Sequence, residues 1–230
     1  MNSPDLPPTA AAMFRALCQR GWLTELVPSA MTNEDLSAFE AEASLELPTF
    51  YKEYLTAYQL PCPIFDLCGI AWHADELSPL WLTLYGVSSI DDLEEHLRFF
   101  REDAAEFRQA EPAACAELLP IGDWGAGWGP LCLDLSRADA LVDPHDETTW
   151  SVVWFDHESF DWPSEYADAD GLLHGRAAAP DLRTLLAWYF CGALEADFEA
   201  ENHVKVNHER LNDPDFCSTY WEERWQEQDV

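Results

Sequence analysis

The chain has 230 residues, with 12 basic and 44 acidic side chains and a formal net charge of −32, yet 48% of it is hydrophobic and 13% aromatic. Charged residues make up only 24%, close to the ~25% of ordinary soluble proteins, so acids have taken the place of bases and the chain is not a disordered acidic tail. The balance disfavours nucleic-acid binding, which needs cations to neutralise phosphates, and docking on an anionic membrane; it favours a cationic partner.

In chain order, Ala11, Phe14, Leu17 and Cys18 share one helical face after Pro7-Pro8-Thr9, and Gly21 is expected to end that helix. Thr32 with Asp35 three residues on forms a capping-box pattern for a second helix through Leu36, Phe39, Glu40 and Ala43. Pro48 is expected as the first residue of a third helix, with Phe50, Tyr54, Tyr58 and Leu55 as its buried stripe. Ile64, Phe65, Leu67, Ile70 and Trp72 read as short strands around Gly69, and 81–85 as another. Ser89 caps a long helix over 90–109, whose Ile90, Leu93, Leu97, Phe100, Ala104 and Phe107 repeat at three and four; Glu94–Arg98 is a possible surface pair.

Two antiparallel strands flanking a turn are expected within 118–135, and a third at 150–155, where Val152-Val153-Trp154-Phe155 is β-branched and aromatic. The glycine-rich stretch Gly122–Gly129 lacks the Lys-Ser/Thr of a phosphate loop and is followed by a strand, so it reads as a β-turn carrying Trp124 and Trp128. Asp181-Leu182-Arg183 opens a further helix that packs Leu182, Leu185, Leu186, Tyr189, Phe190 and Cys191 inward. Helices first, strands in the middle and a returning helix give an α+β fold: an antiparallel sheet with flanking helices, in one unit over 1–195, followed by a docked acidic, aromatic extension over 196–230.

Seven cysteines at irregular spacing, without a CxxC pair, read as free thiols in a reducing compartment; Cys132, in an apolar alternation, is a core thiol. No basic-then-apolar leader and no apolar run of ~18 residues is visible, so an intracellular, cytoplasmic protein is expected. Nucleophile motifs are absent, and no cofactor is called for. His145, Asp156, His157 and Glu158 offer metal-compatible donors in no recognised spacing, which keeps a metal-dependent hydrolase as a lesser alternative.

Charge by segment says more. Residues 139–170 hold ten acids and no Lys or Arg, interleaved with Trp150, Trp154, Phe155, Phe160, Trp162 and Tyr166. Aromatic anchors among carboxylates suit an interface with a basic partner, as against solvated acids over core aromatics. The expected partner-binding residues are Asp123, Trp124, Trp128, Asp143, Asp146, Glu147, Asp156, Glu158, Asp161, Trp162 and Glu165.

Three stretches in order resemble the SUKH superfamily, the Smi/Knr-like proteins. They are Leu36–Glu40 through Leu45-Glu46-Leu47-Pro48 to Leu55; Leu118–Asp123 with Leu131–Leu135; and Val152–Glu158. The resemblance implies an α+β domain with an antiparallel sheet and a non-enzymatic role. Its bacterial form would be an immunity protein that neutralises a cognate secreted toxin, often a nuclease; its alternative would be a regulatory interaction scaffold.

Overall fold

In the computed structural model the described residues are 9–19, 23, 25–59, 67–72, 79–124, 127–138, 142–143 and 146–190. The expected helix end at Gly21, the strand residues Ile64 and Phe65, His145, Cys191 and the extension over 196–230 lie outside them. Six helices and six strands occur among the described residues: α1 (Ala10–Gln19), α2 (Asn33–Ala43), α3 (Thr49–Ala57), β1 (Leu67–Trp72), β2 (Pro79–Leu84), α4 (Ile90–Phe107), β3 (Leu118–Trp124), β4 (Gly129–Asp134), β5 (Val152–Trp154), α5 (Trp162–Tyr166), β6 (Arg176–Ala179) and α6 (Leu182–Tyr189). The strands form one antiparallel sheet in sequence order, with helices against it: the expected α+β class.

Helix starts follow local chemistry. The Thr32 hydroxyl accepts from the Asp35 amide at 3.2 Å while the Asp35 carboxylate accepts from the Thr32 amide at 2.8 Å. Ser89 and Asp92 repeat the box at α4, and the Asp92 carboxylate also accepts from the amide and hydroxyl of Ser88 at 2.8 and 2.9 Å. Asp181 caps α6 by accepting from Thr184 N at 2.7 Å.

Helix α3 differs from expectation. Pro48 is its cap residue, not its first helical residue, and gives no side-chain hydrogen bond. The buried face is Tyr51, Tyr54 and Leu55; Phe50 is only partly buried. The Leu-Pro joint before it is tied by Glu40, whose carboxylate accepts from Leu47 N at 2.7 Å and from Lys52 Nζ at 2.9 Å. On α4, Phe107 lies exposed instead of in the buried stripe, and the observed surface pair is Arg98–Glu102.

The middle of the sheet is covered on both faces, which is why β4 and β5 read as unbroken apolar runs. Leu131, Leu133 and Val152 face a core shared with α1, α2, α3 and α6; Cys132, Val153 and Phe155 face a second core with Phe100, Ala104, Trp162 and Tyr166. Burial pushes the Cys132 thiol well up and the Cys115 thiol to about 11, so both remain protonated core groups. Pro120 sits in mid-strand, which the register shift between Pro120 and Gly122 accommodates. A Cβ on Gly122 would meet the Thr83 carbonyl oxygen at 2.0 Å, so only glycine lets β2 approach β3 there. Strand β6 and the one-turn α5 escape a pattern reading. Arg176-Ala-Ala-Ala has no β-branched residue, and α5 is five residues long. Among the described residues no helix is long and apolar enough to cross a membrane.

Candidate partner-binding face

The turn between β3 and β4 is held against the chain leaving β5. His157 donates twice to the Trp128 carbonyl, from its backbone N–H at 2.8 Å and from ring Nδ1 at 2.6 Å. Gly129 follows at φ 152°, and a Cβ there would meet the Phe155 carbonyl oxygen at 1.8 Å. This close crossing brings Trp128 and the 156–165 segment to one end of the sheet.

Three indoles meet there. The Trp154 ring lies 6.1 Å from Trp124 and 6.5 Å from Trp128. Trp128 is 46% exposed, whereas Trp124 is buried. Phe160, 70% exposed, follows His157 by three residues, and its carbonyl is fixed by Gln109 Nε2 at 3.1 Å. Arg176, at the start of β6, bridges the carboxylates of Asp156 at 3.3 Å and Glu165 at 3.7 Å. Its guanidinium also lies 5.1 Å from the Trp154 ring centre. Ser159 Oγ donates to Glu165 at 2.7 Å, and the Asp156 carboxylate accepts from Glu158 N at 2.9 Å. Glu158, Asp161 and Glu165 are exposed. Asp161 caps α5 by accepting from Ser164 N at 3.1 Å.

The expected residues therefore separate. Trp128, Asp156, Glu158, Asp161 and Glu165 share one end. Asp123, partly buried on β3, precedes it by one residue from Trp124. Asp143, Asp146 and Glu147 are exposed but precede β5, so they sit at its opposite end. There the Asp146 carboxyl is held below its ordinary range by hydrogen bonds from the hydroxyl and amide of Thr148. Two residues expected at the surface are core. Trp162 is 0% exposed, its ring tilted against Phe155 at 4.8 Å between centres, with its indole N–H donating to the Asp156 carbonyl at 3.1 Å. Trp124 is buried against the α-helical core. Asp161 beside Trp162 is exposed and Asp123 beside Trp124 is partly buried, but alternation on β3 and the first turn of α5 turn both indoles in. Arg176 escaped the sequence reading, because it lies six residues beyond the acidic segment; the Gly175-Arg176 step gave no interface signal.

A separate polar network is internal. Asp134 at the end of β4 is fully buried and accepts from His174 Nδ1 at 2.7 Å; Arg137 Nε stands 3.3 Å from the same carboxylate oxygen. His174 Nε2 faces Asp168 and Asp170, each at 3.6 Å. Among the described residues no group of three or more His, Cys, Asp or Glu side chains is arranged to hold a metal ion. Asp156 and His157, two of the four donors considered for one, are engaged by Arg176 and by the Trp128 carbonyl.

No individual curated protein matches the chain. The sequence profile of the SMI1 / KNR4 family (SUKH-1) does, over residues 30–170. That stretch is more than half of the chain and takes in α2 to α5, including the hairpin and the 156–165 segment. The capped α2, the Leu-Pro joint, the β3–β4 hairpin and the β5 exit all fall within the match, and the chain belongs to the SMI1 / KNR4 family (SUKH-1).

Proposed function

We propose that the protein is an immunity protein that binds a cognate toxin of basic surface through the face around Trp128, and that binding alone neutralises it. Toxin immunity is a common role in this family. The observation that carries the reading is that the turn bearing exposed Trp128 is tied through His157 to the segment that bears exposed Phe160 and the exposed carboxylates of Glu158, Asp161 and Glu165. Aromatics give a partner desolvated anchors, and carboxylates steer a cationic surface and accept charge-assisted hydrogen bonds from Arg and Lys. A nuclease is a fitting target, since its cleft already complements phosphates. The net charge of −32 adds a long-range field that speeds encounter at low salt.

The test is co-expression with the toxin-like product encoded beside the gene, and stopped-flow association with that product. Changing Glu158 and Glu165 to Gln and Asp161 to Asn slows association by about ten-fold at low salt and flattens its salt dependence. Association and protection unchanged by all three substitutions would move the interface elsewhere.

A further inference from the structure

A pocket of about 300 Å³ opens at the end of β5 opposite Trp128, where the start of α3 meets the start of α6. Phe50 and Tyr51 of α3, Leu133 of β4, and Leu182 and Arg183 of α6 line it. Its walls are mostly apolar, and three features in it favour a negative charge.

The first is Arg183. Its guanidinium lies 4.5 Å from the Phe50 ring centre. Among the described residues it forms no ion pair, in a chain with 44 acids. The second is the α3 terminus. Pro48 offers no side-chain cap, so the first amides of the helix, which have no intrahelical acceptor, lack a side-chain acceptor as well. The third is Tyr51. It is 4% exposed, burial pushes its phenol above the usual range, and its hydroxyl has no hydrogen-bond partner among the described residues. The pocket's own carboxylate, Asp181, is committed to the α6 cap through Thr184 N at 2.7 Å.

We propose that this pocket receives a carboxylate carried on a small apolar body. The carboxylate accepts from Arg183, from the α3 amides and from the Tyr51 hydroxyl, and the apolar part lies against Phe50, Leu133 and Leu182. A volume of about 300 Å³ is at the small end of ligand pockets, enough for one apolar side chain with its carboxylate but not for a nucleotide. A singly charged group suits it better than a phosphate dianion, given Asp181 in its wall and the strongly negative field of the chain. The carboxylate can come from a short-chain acid or from the terminus of a peptide that ends in an apolar residue. The site is independent of the toxin-binding face, and either assignment can fail without the other.

The test is an NMR titration of the isotope-labelled full chain with hexanoate, with neutral hexanamide, with inorganic phosphate, and with a Leu-terminated peptide as free acid and as C-terminal amide. The expected result is a saturable shift of the Arg183 Nε–H and of the Phe50 and Tyr51 amides, with either acid about ten-fold stronger than its amide. Saturation by hexanoate points to a free small acid; saturation by the peptide acid alone points to a chain terminus. Arg183→Gln weakens binding about ten-fold and Tyr51→Phe weakens it less. Arg183→Lys, which keeps the charge, retains part of the binding and separates loss of charge from loss of fold. Three results would each overturn the assignment: no saturation by either acid, equal response to acid and amide, or phosphate binding as tightly as the acids.

Discussion

Two acid-rich regions lie on either side of α5, and the same residue type serves opposite ends in them. At Asp134 a fully buried carboxylate is satisfied from within, by His174 at 2.7 Å and Arg137 at 3.3 Å, with Ser136 also donating to it. At the 156–165 rim the acids stand in solvent, and Arg176 supplies the only guanidinium paired with any of them among the described residues. The first arrangement fastens β4 to the 168–174 turn. The second leaves negative charge facing outward beside exposed aromatics. Net charge alone does not distinguish the two; the difference lies in where the cations are.

The largest expected effect would break the internal region. Asp134→Ala leaves His174 and Arg137 facing a buried void and is expected to cost about 3–5 kcal/mol, read by urea denaturation; Trp162→Ala, which empties the neighbouring core, belongs to the same range of about 3–5 kcal/mol. A loss below about 1 kcal/mol for Asp134→Ala would mean that the network is only a surface pairing. Next, Gly129→Ala forces a Cβ onto the Phe155 carbonyl and is expected to cost about 1–3 kcal/mol, with the Trp128 fluorescence environment changed.

The rim should respond the other way. Trp128→Ala is expected to alter stability by only about 0.5 kcal/mol while weakening partner binding by about 2 kcal/mol or more, measured by calorimetry. A variant that unfolds as readily as Trp162→Ala would erase the contrast between the regions. The smallest effect is a control outside both. Ser89→Ala removes one half of the α4 cap and is expected to cost about 1 kcal/mol. Burial works against ionisation of Asp92, but hydrogen bonds from Ser88 and Ser89 outweigh it and hold its carboxyl below the ordinary range. A lowered folded-state value means that this stabilisation is present above the unfolded value of about 3.9 and is lost as pH falls through and below it. Asp92→Asn should therefore flatten the acid limb of the stability profile.

The starts of α2, α4 and α6 were legible in the sequence because a cap is settled within four residues: Thr32 with Asp35, Ser89 with Asp92, Asp181 with Thr184. The hairpin and β5 were legible because both faces are apolar. The depth of a particular indole was not. Trp124, Trp128 and Trp162 each stand beside an acid or a glycine, and only packing across the sheet decides which is exposed. Arg176 and the Asp134–His174 contact were out of reach for the same reason: the partners lie 20 and 40 residues apart in the chain.

The double hydrogen bond at the Trp128 carbonyl bears on kinetics. An exposed indole on a free turn would have to lose its conformational freedom when a partner arrives, and that loss would weaken the complex. Here the His157 amide and imidazole have already fixed the backbone behind the ring. Less ordering is left for the encounter, and the gain falls on the lifetime of the complex more than on its rate of formation. If this face binds the partner proposed above, a complex built on it is expected to dissociate slowly, and a pre-fixed turn would serve a neutralising role through residence time.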